Sequence, residues 1–433
     1  MNSRERVLRA INHQEPDRVP VDLGGSIVTG IMAGALVRLR ERLGLSHQGV
    51  KVYDQFQMLG EVAPDLVELF KVDLLPVEPE IITFGFRNRN FKPWTLFDGT
   101  PVLMPGDFDV VETAEGDWLV REGGDPDRPV VARMPKDGFY FDRIDVSGWN
   151  QEYVPPPIEQ LRRERWRRLA DEELQHFQGL AQTLRETTDK ALVLTNWTDS
   201  GIGPAKVGSM AEWLVILASE PDYVEDLMGL ATEIALDNLE LYWQALGGTI
   251  DIFNIDGFDY GAQNRELFSP RLFEKFYVPA YKAQCDWIHG HTPWKVAKHC
   301  CGSIPHLIEP MIQAGIDILN PVQTSAAKME ARWLAETFGD RITFWGGGVD
   351  TQRILAFGTP EQVYRDVVER LTIFAPRGGF IWAPIHNIQY TVPAENIVAA
   401  FRAVHEYGTY PIDVQYGFGG AEDESPTPAK PYS

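Results

Sequence analysis

Lys295-Val296-Ala297-Lys298-His299-Cys300-Cys301-Gly302 reads as a β-strand over 295–299 that stops at a cluster of side chains able to hold a metal. Strands of similar kind recur at 191–195, 250–255, 316–319, 342–345 and 380–383. Between most of them lie amphipathic helical stretches, for example 303–314, 328–338 and 360–373. Apolar strands that alternate with helices indicate a parallel sheet covered by helices on its faces. Residues 19–23 and one strand within 74–84 bring the set to eight. No Gly-x-Gly-x-x-Gly follows an early strand, which weakens an open dinucleotide-binding sheet. The expected fold class is therefore α/β, a (β/α)8 TIM-type barrel. From about 80 to 144 short alternating runs sit among Asp, Gly and Pro, and predict a β-rich insertion in the N-terminal half. One barrel domain is expected over 1–411, and a flexible Gly-, Pro- and Ser-rich tail over 412–433.

Composition bounds the function. The formal charge of −22 repels phosphate backbones and anionic membrane surfaces, so no nucleic acid and no membrane is expected as partner. No run is long enough to span a bilayer, and residues 1–7 carry charges where a signal peptide is apolar. Cys285, Cys300 and Cys301 are the only three cysteines, too few for a disulfide framework. A cytoplasmic protein is the expectation, with a homodimer as the default assembly.

In barrels of this type the chemistry sits at the C-terminal ends of the strands. Those ends carry Asp22, Asn196-Trp197-Thr198, Asn254, Asp256 and Asp259, then His299 to Gly302, Asn320 to Gln323, Gly346 to Asp350, and His386-Asn387. His299 and Cys301 stand two apart, which puts their side chains on one side of an extended chain. Imidazole nitrogen and thiolate sulfur are zinc's preferred ligands, and a catalytic site takes three and leaves a fourth position open. His386, at the last strand end, is the candidate third ligand, while Cys300 points the other way. The alternative is that His299 caps a strand and Cys301 is a small buried residue. Asp256 and Asp259 also carry two readings. One is acid–base or metal work with Asp256 the better placed; the other is an ordinary strand-to-loop turn. Gly346-Gly347-Gly348 either admits an anion to the backbone or makes a tight turn. The aromatic residues of the insertion either cover the pocket or form the insertion's own core.

Asp17-Arg18-Val19-Pro20-Val21-Asp22, His299-Cys300-Cys301-Gly302-Ser303 and Asp317-Ile318-Leu319-Asn320-Pro321-Val322-Gln323 together resemble the uroporphyrinogen decarboxylase superfamily. Phe344-Trp345-Gly346-Gly347-Gly348-Val349-Asp350-Thr351-Gln352 and Ala383-Pro384-Ile385-His386-Asn387-Ile388-Gln389 extend the resemblance over essentially the whole chain. It implies a (β/α)8 barrel and two functional classes. The metal-free decarboxylases hold an anionic tetrapyrrole with an arginine-rich motif. Here Asp22-Leu23-Gly24-Gly25-Ser26 follows the first strand, and no arginine occurs between it and Arg38. The other class comprises zinc-dependent methyltransferases that work with a corrinoid protein and carry His-x-Cys followed far downstream by a second Cys. His299 and Cys301 match the first part; no cysteine follows Cys301, and His386 falls in roughly the missing ligand's region.

The resemblance thus implies a zinc-dependent methyltransferase acting with a corrinoid protein on a small methylated substrate or methyl acceptor. Zinc is held by His299, Cys301 and His386 in this reading. Asp256 and Asp22 are the candidate catalytic carboxylates, and Asn320, Gln323 and Asn387 the cofactor-binding groups. The alternative is a metal-free decarboxylase or lyase, in which Asp22 or Asp256 stabilises a protonated intermediate. A third class is a non-catalytic binding barrel that delivers a small molecule or corrinoid to a partner.

Overall fold

The computed structural model describes residues 1–81, 83–144, 154–164, 168–195 and 208–414. The strand end at Asn196-Trp197-Thr198 and nearly all of the tail expected over 412–433 lie outside them.

Seven parallel strands form one curled sheet, and each is numbered here in chain order: β1 Leu74–Val77, β2 Ala191–Thr195, β3 Ile252–Asn254, β4 Lys295–His299, β5 Ile318–Asn320, β6 Thr343–Trp345 and β7 Phe380–Ile381. They neighbour one another in sequence order, each crossing back through helix. The segment 19–22 lies between the two ends of this sheet. Trp382 N donates to Pro20 O (2.8 Å) and Asp22 N to Trp382 O (2.9 Å), while Asp73 N donates to Val21 O (2.8 Å). The result is a distorted TIM-type barrel. The eighth strand expected at 19–23 is present only as a single parallel bridge, Val21 to Trp382. Asp73 holds it there, accepting from Arg6 Nη1 (2.8 Å), Arg18 Nη1 (2.6 Å) and Val21 N (2.9 Å). Three charge-assisted donors on one buried carboxylate replace the ladder this short strand lacks.

Side-chain alternation sorts the strands into an inner and an outer face. Leu74, Ala191, Val193, Ile252, Ala297, Ile318, Trp345, Ile381 and Ala383 form the inner core, and their neighbours along each strand pack outward under the helices. Val7 and Ile11 belong to the same inner core. They come from helix α1 (Ser3–Ile11), which starts on an Asn2–Glu5 capping box and closes the N-terminal end of the barrel. Gly379 N and Thr343 Oγ1 bond its last carbonyls, Ala10 O at 2.7 Å and Ile11 O at 3.2 Å.

The insertion is β-rich. A pair, Lys92–Thr95 with Pro101–Met104, accompanies a four-stranded antiparallel sheet of Val111–Glu112, Trp118–Arg121, Val130–Met134 and Asp142–Arg143. Its aromatic residues make its own core: Trp94, Phe108 and Trp118 meet edge to face, and Phe86, Phe108 and Phe141 are fully buried. Phe139 stacks on Tyr390 of the barrel with ring centroids 3.9 Å apart. The strand expected at 316–319 runs instead from Ile318 to Asn320, because Gly315 (φ +99°) ends the preceding helix and residues 316–317 are spent turning back. No helix among the described residues is long and apolar enough to cross a membrane.

Candidate metal centre

Alternation along β4 decides what faces the barrel mouth. Ala297 points inward, so His299 and then Cys301 do too, and Lys298 points outward. His386, from the loop after β7, completes the group. One ligand atom from each of His299, Cys301 and His386 lies within 4.8 Å of the other two. His299 Nε2 and Cys301 Sγ are 3.6 Å apart. Tetrahedral zinc with ordinary Zn–N and Zn–S bonds spaces its ligand atoms by roughly 3.4–3.6 Å, so this pair already has the right separation. The two imidazole rings stand edge to face, 5.7 Å between centroids.

The neighbours prepare these groups for a cation. Asn320 Nδ2 donates to Trp345 O (3.1 Å), which turns Asn320 Oδ1 toward His299 Nδ1 at 2.7 Å. An amide oxygen only accepts, so His299 carries its proton on Nδ1 and its lone pair on Nε2, the atom beside the thiol. Burial, then the charge of Lys298, depresses the His299 pKa to about 3. Burial and His299 bring His386 to about 4, so both rings are neutral and ligand-competent at neutral pH. Burial, then Asp259, pushes the Cys301 thiol well up. A bound cation reverses that preference by stabilising the thiolate. Two imidazoles and one thiolate, with one imidazole oriented by an amide, fit zinc with a fourth position open.

The loops that carry the ligands are pinned to each other. Gly302 has φ +93°, and a Cβ there would lie 2.3 Å from the carbonyl carbon of Gly261. Only glycine allows the backbone after Cys301 to rest on the 256–261 loop. Asp259 Oδ1 accepts from Cys301 N (2.7 Å) and lies 3.6 Å from His299 Nε2. Gln323 Oε1 accepts from Gly302 N (2.7 Å), and Gln323 Nε2 donates to Gln263 Oε1 (3.1 Å). Asn387 Oδ1 accepts from Gly30 N (2.6 Å), and its Nδ2 donates to Ile27 O (2.8 Å) and Gln57 Oε1 (2.9 Å). Asn320, Gln323 and Asn387 thus all sit around the cluster, each with its amide engaged by protein. Gly346 and Gly347, both at positive φ, and Gly348, tight against the Trp382 ring, make the close strand-to-helix turn. A cleft of about 470 Å³ opens from Cys301 and His386 past Gln323, Thr351 and Phe357.

The two carboxylates singled out by position lie elsewhere. Asp256 does not join the cluster. Its Oδ1 is 2.5 Å from Lys298 Nζ and accepts from Phe258 N (2.9 Å), and its Oδ2 accepts from Tyr281 OH. Tyr281 and Tyr260 hydroxyls are 2.5 Å apart, and Lys298 Nζ also donates to the carbonyls of Phe258 (2.8 Å) and His299. Asp259, the second of the pair, is the one that reaches the ligands. Asp22 faces the barrel interior, accepting from Gly25 N (2.7 Å) and Trp345 Nε1 (2.8 Å), and burial raises its pKa to about 6. Cys300 is buried and its Sγ accepts from Tyr260 N at 3.2 Å. Lys298 is not among the residues that the sequence pattern singles out, although a buried lysine directly before His299 at a strand end is itself a signal.

The family described as Uroporphyrinogen decarboxylase (URO-D) matches residues 156–407, more than half of the 433-residue chain. The chain belongs to the uroporphyrinogen decarboxylase family. The fold of this family member is shared with a methyltransferase from Methanosarcina mazei, at 16% identity and a TM-score of 0.57, with 94% of this chain and 99% of that one covered. No curated protein matches the sequence. Within the uroporphyrinogen decarboxylase family frame, the His299–Cys301–His386 group occupies the C-terminal strand ends, where barrels of this kind carry their chemistry.

Proposed function

We propose that this family member is a zinc-dependent methyltransferase that works with a corrinoid protein on a small methylated substrate or methyl acceptor. The observation that carries the reading is the His299–Cys301–His386 cluster, with His299 held by Asn320 in the tautomer that offers Nε2. Zinc held there by His299, Cys301 and His386 would supply Lewis acidity to a heteroatom of the substrate. The chain's own groups do the rest. Asn320 orients His299, Asp259 fixes the Cys301 backbone, and Gln323 holds Gly302, so the ligands are set before substrate arrives. The cleft beside Cys301 and His386 gives access from solvent. Asp256 acts in this reading as a positioning residue through Lys298. Asp22, with its pKa near 6, is the inward carboxyl able to hold or release a proton close to neutral pH. The absence of arginine between Asp22 and Arg38 removes the clamp that the metal-free decarboxylase reading requires.

Metal analysis of the purified protein tests the proposal. One zinc per chain is expected, with its loss in His299→Ala and Cys301→Ser. Zinc-loaded protein is then expected to demethylate methylcobalamin with a suitable acceptor, followed by the cobalamin absorbance change. Protein that folds and binds no zinc overturns the reading.

A further inference from the structure

Three adjacent strands end in buried polar atoms that have no hydrogen-bond partner. Leu74, Ala191, Val193 and Ile252 face the barrel interior. In the registers Ala191–Leu74, Val193–Pro76 and Thr195–Asn254, alternation then carries Glu78, Thr195 and Asn254 to the same inner face, in one row across β1, β2 and β3. One carboxylate oxygen of Glu78, the hydroxyl of Thr195 and the side-chain oxygen of Asn254 are all buried and unpartnered. Thr195 is 1% exposed and Asn254 2%. Leaving such groups unpaired costs stability, and three in a row at the mouth of a barrel mark a place where a ligand pairs them.

The sign of the ligand follows from the charges around the row. The Tyr53 hydroxyl, also buried and unpartnered, lies where Glu78, Asp54 and Asp22 all act on it. It also reaches the metal side: a Cβ on Gly30 would meet both Tyr53 OH (3.3 Å) and Asn387 Oδ1 (3.4 Å), next to His386. One oxygen of Asp54 is buried without a partner, and burial, then Asp54 and Glu61, holds Glu78 well above the usual carboxylate range. Arg143 from the insertion acts on Asp54, and Lys51 pairs with Glu61 at 3.1 Å. Among the described residues no lysine or arginine stands at an inward strand end. Glu78 therefore keeps its proton while the row is empty; a cation entering it favours the ionised carboxylate and pairs with it, which an anionic or a neutral ligand cannot do.

We propose that Glu78, Thr195, Asn254 and Tyr53 form a subsite for the ammonium group of a small cationic substrate, one to three strand spacings from His299. Neighbouring strands lie about 4.8 Å apart, so the Asn254 end of the row is one spacing from the strand that carries His299 and the Glu78 end roughly 14 Å away. The inference rests on the barrel mouth being the substrate pocket of the proposed methyltransferase, and it deepens that reading by naming the substrate class. The carboxylates and the Tyr53 ring supply charge and a π face to the cation, and Thr195 and Asn254 accept from any N–H or O–H it bears.

Calorimetric titration with choline and with its neutral carbon isostere, 3,3-dimethylbutan-1-ol, tests the subsite in zinc-loaded and in chelator-treated protein. Choline is expected to bind at least tenfold more tightly than the alcohol in both forms. Glu78→Gln is expected to remove that preference while changing alcohol binding less than twofold. Thr195→Val, which keeps the charge and the shape, is expected to weaken choline severalfold and serves if Glu78→Gln does not fold. Equal binding of the two probes, no choline binding, or tighter binding of 2-mercaptoethanesulfonate than of choline overturns the proposal. Failure to take up zinc would overturn the metal reading and leave the choline-to-alcohol ratio as a separate result.

Discussion

Lys298 Nζ stands 2.5 Å from Asp256 Oδ1 on the outer side of β4, and neither side chain has more than 1% of its surface in water. The pair lies directly behind His299, and Lys298 also donates to the His299 carbonyl. A charge pair hidden from water keeps its place only when its remaining donors and acceptors are met, and here Tyr281 and the Phe258 backbone meet them. Lys298→Met is expected to destabilise the protein by about 3–5 kcal/mol in urea unfolding, because it strands the Asp256 charge. Adding Asp256→Asn should return a large part of that loss. Equal instability of the single and double variants would mean that the pair is not what holds this region.

Asn320→Ala removes the acceptor that fixes His299 on Nδ1–H. Zinc affinity, measured by competition with a chromophoric chelator, is expected to fall roughly 10–100-fold. The unfolding transition of metal-free protein should fall as well, since His299 Nδ1 and Trp345 O each lose a buried partner. An unchanged affinity would show that His299 does not use Nε2 toward the metal.

Asp54 titrates against the fold. Burial raises its pKa to about 6 from 3.8, so the folded chain keeps a proton that the unfolded chain releases. Stability from this group is therefore present below pH 3.8 and lost as pH rises through 6, by roughly 3 kcal/mol in order of magnitude. Asp54→Asn keeps the acceptor that Gln57 N uses at 2.7 Å and removes the ionisation. The variant should gain on the wild type between pH 4 and pH 7 in unfolding titrations. A constant difference over that range would refute the assignment.

Gly302→Ala places a methyl group against the Gly261 carbonyl in a backbone conformation that L residues avoid. Loss of more than about 1 kcal/mol of stability is expected, with zinc content falling in parallel as Cys301 moves off its position. Retention of full zinc and full stability would mean that the 256–261 loop can yield at no cost.

How much of this could be read beforehand depends on the range of the interaction concerned. Parallel strands buried on both faces are continuous apolar runs, so six of the barrel strands stand out at 191–195 and beyond. The segment at 19–22 is found by the same pattern, but its reduction to one bridge depends on Asp73, far along the chain, which Arg6 and Arg18 hold in place. The His299–Cys301 pair follows from alternation along one strand, and His386 from its place at the last strand end. Asp256 and Asp259 both follow β3, and local position ranks Asp256 first because it comes sooner after the strand. The choice is made by Lys298 one strand away, which draws Asp256 outward and leaves Asp259 to bond Cys301. Glu78 carries no local mark at all. Its isolation appears only when β1, β2 and β3 are laid side by side.

Helix α1 sets a last constraint. With Val7 and Ile11 seated in the inner core, the floor of the barrel is shut. Among the described residues, that leaves the rim for both entry and exit. The proposed small molecule on the Glu78 row and the proposed partner over His386 would then contend for the same doorway. In the proposed reaction the order of arrival and departure is then dictated by traffic at that doorway, and a bulky partner docked there would trap the small molecule inside until it withdrew.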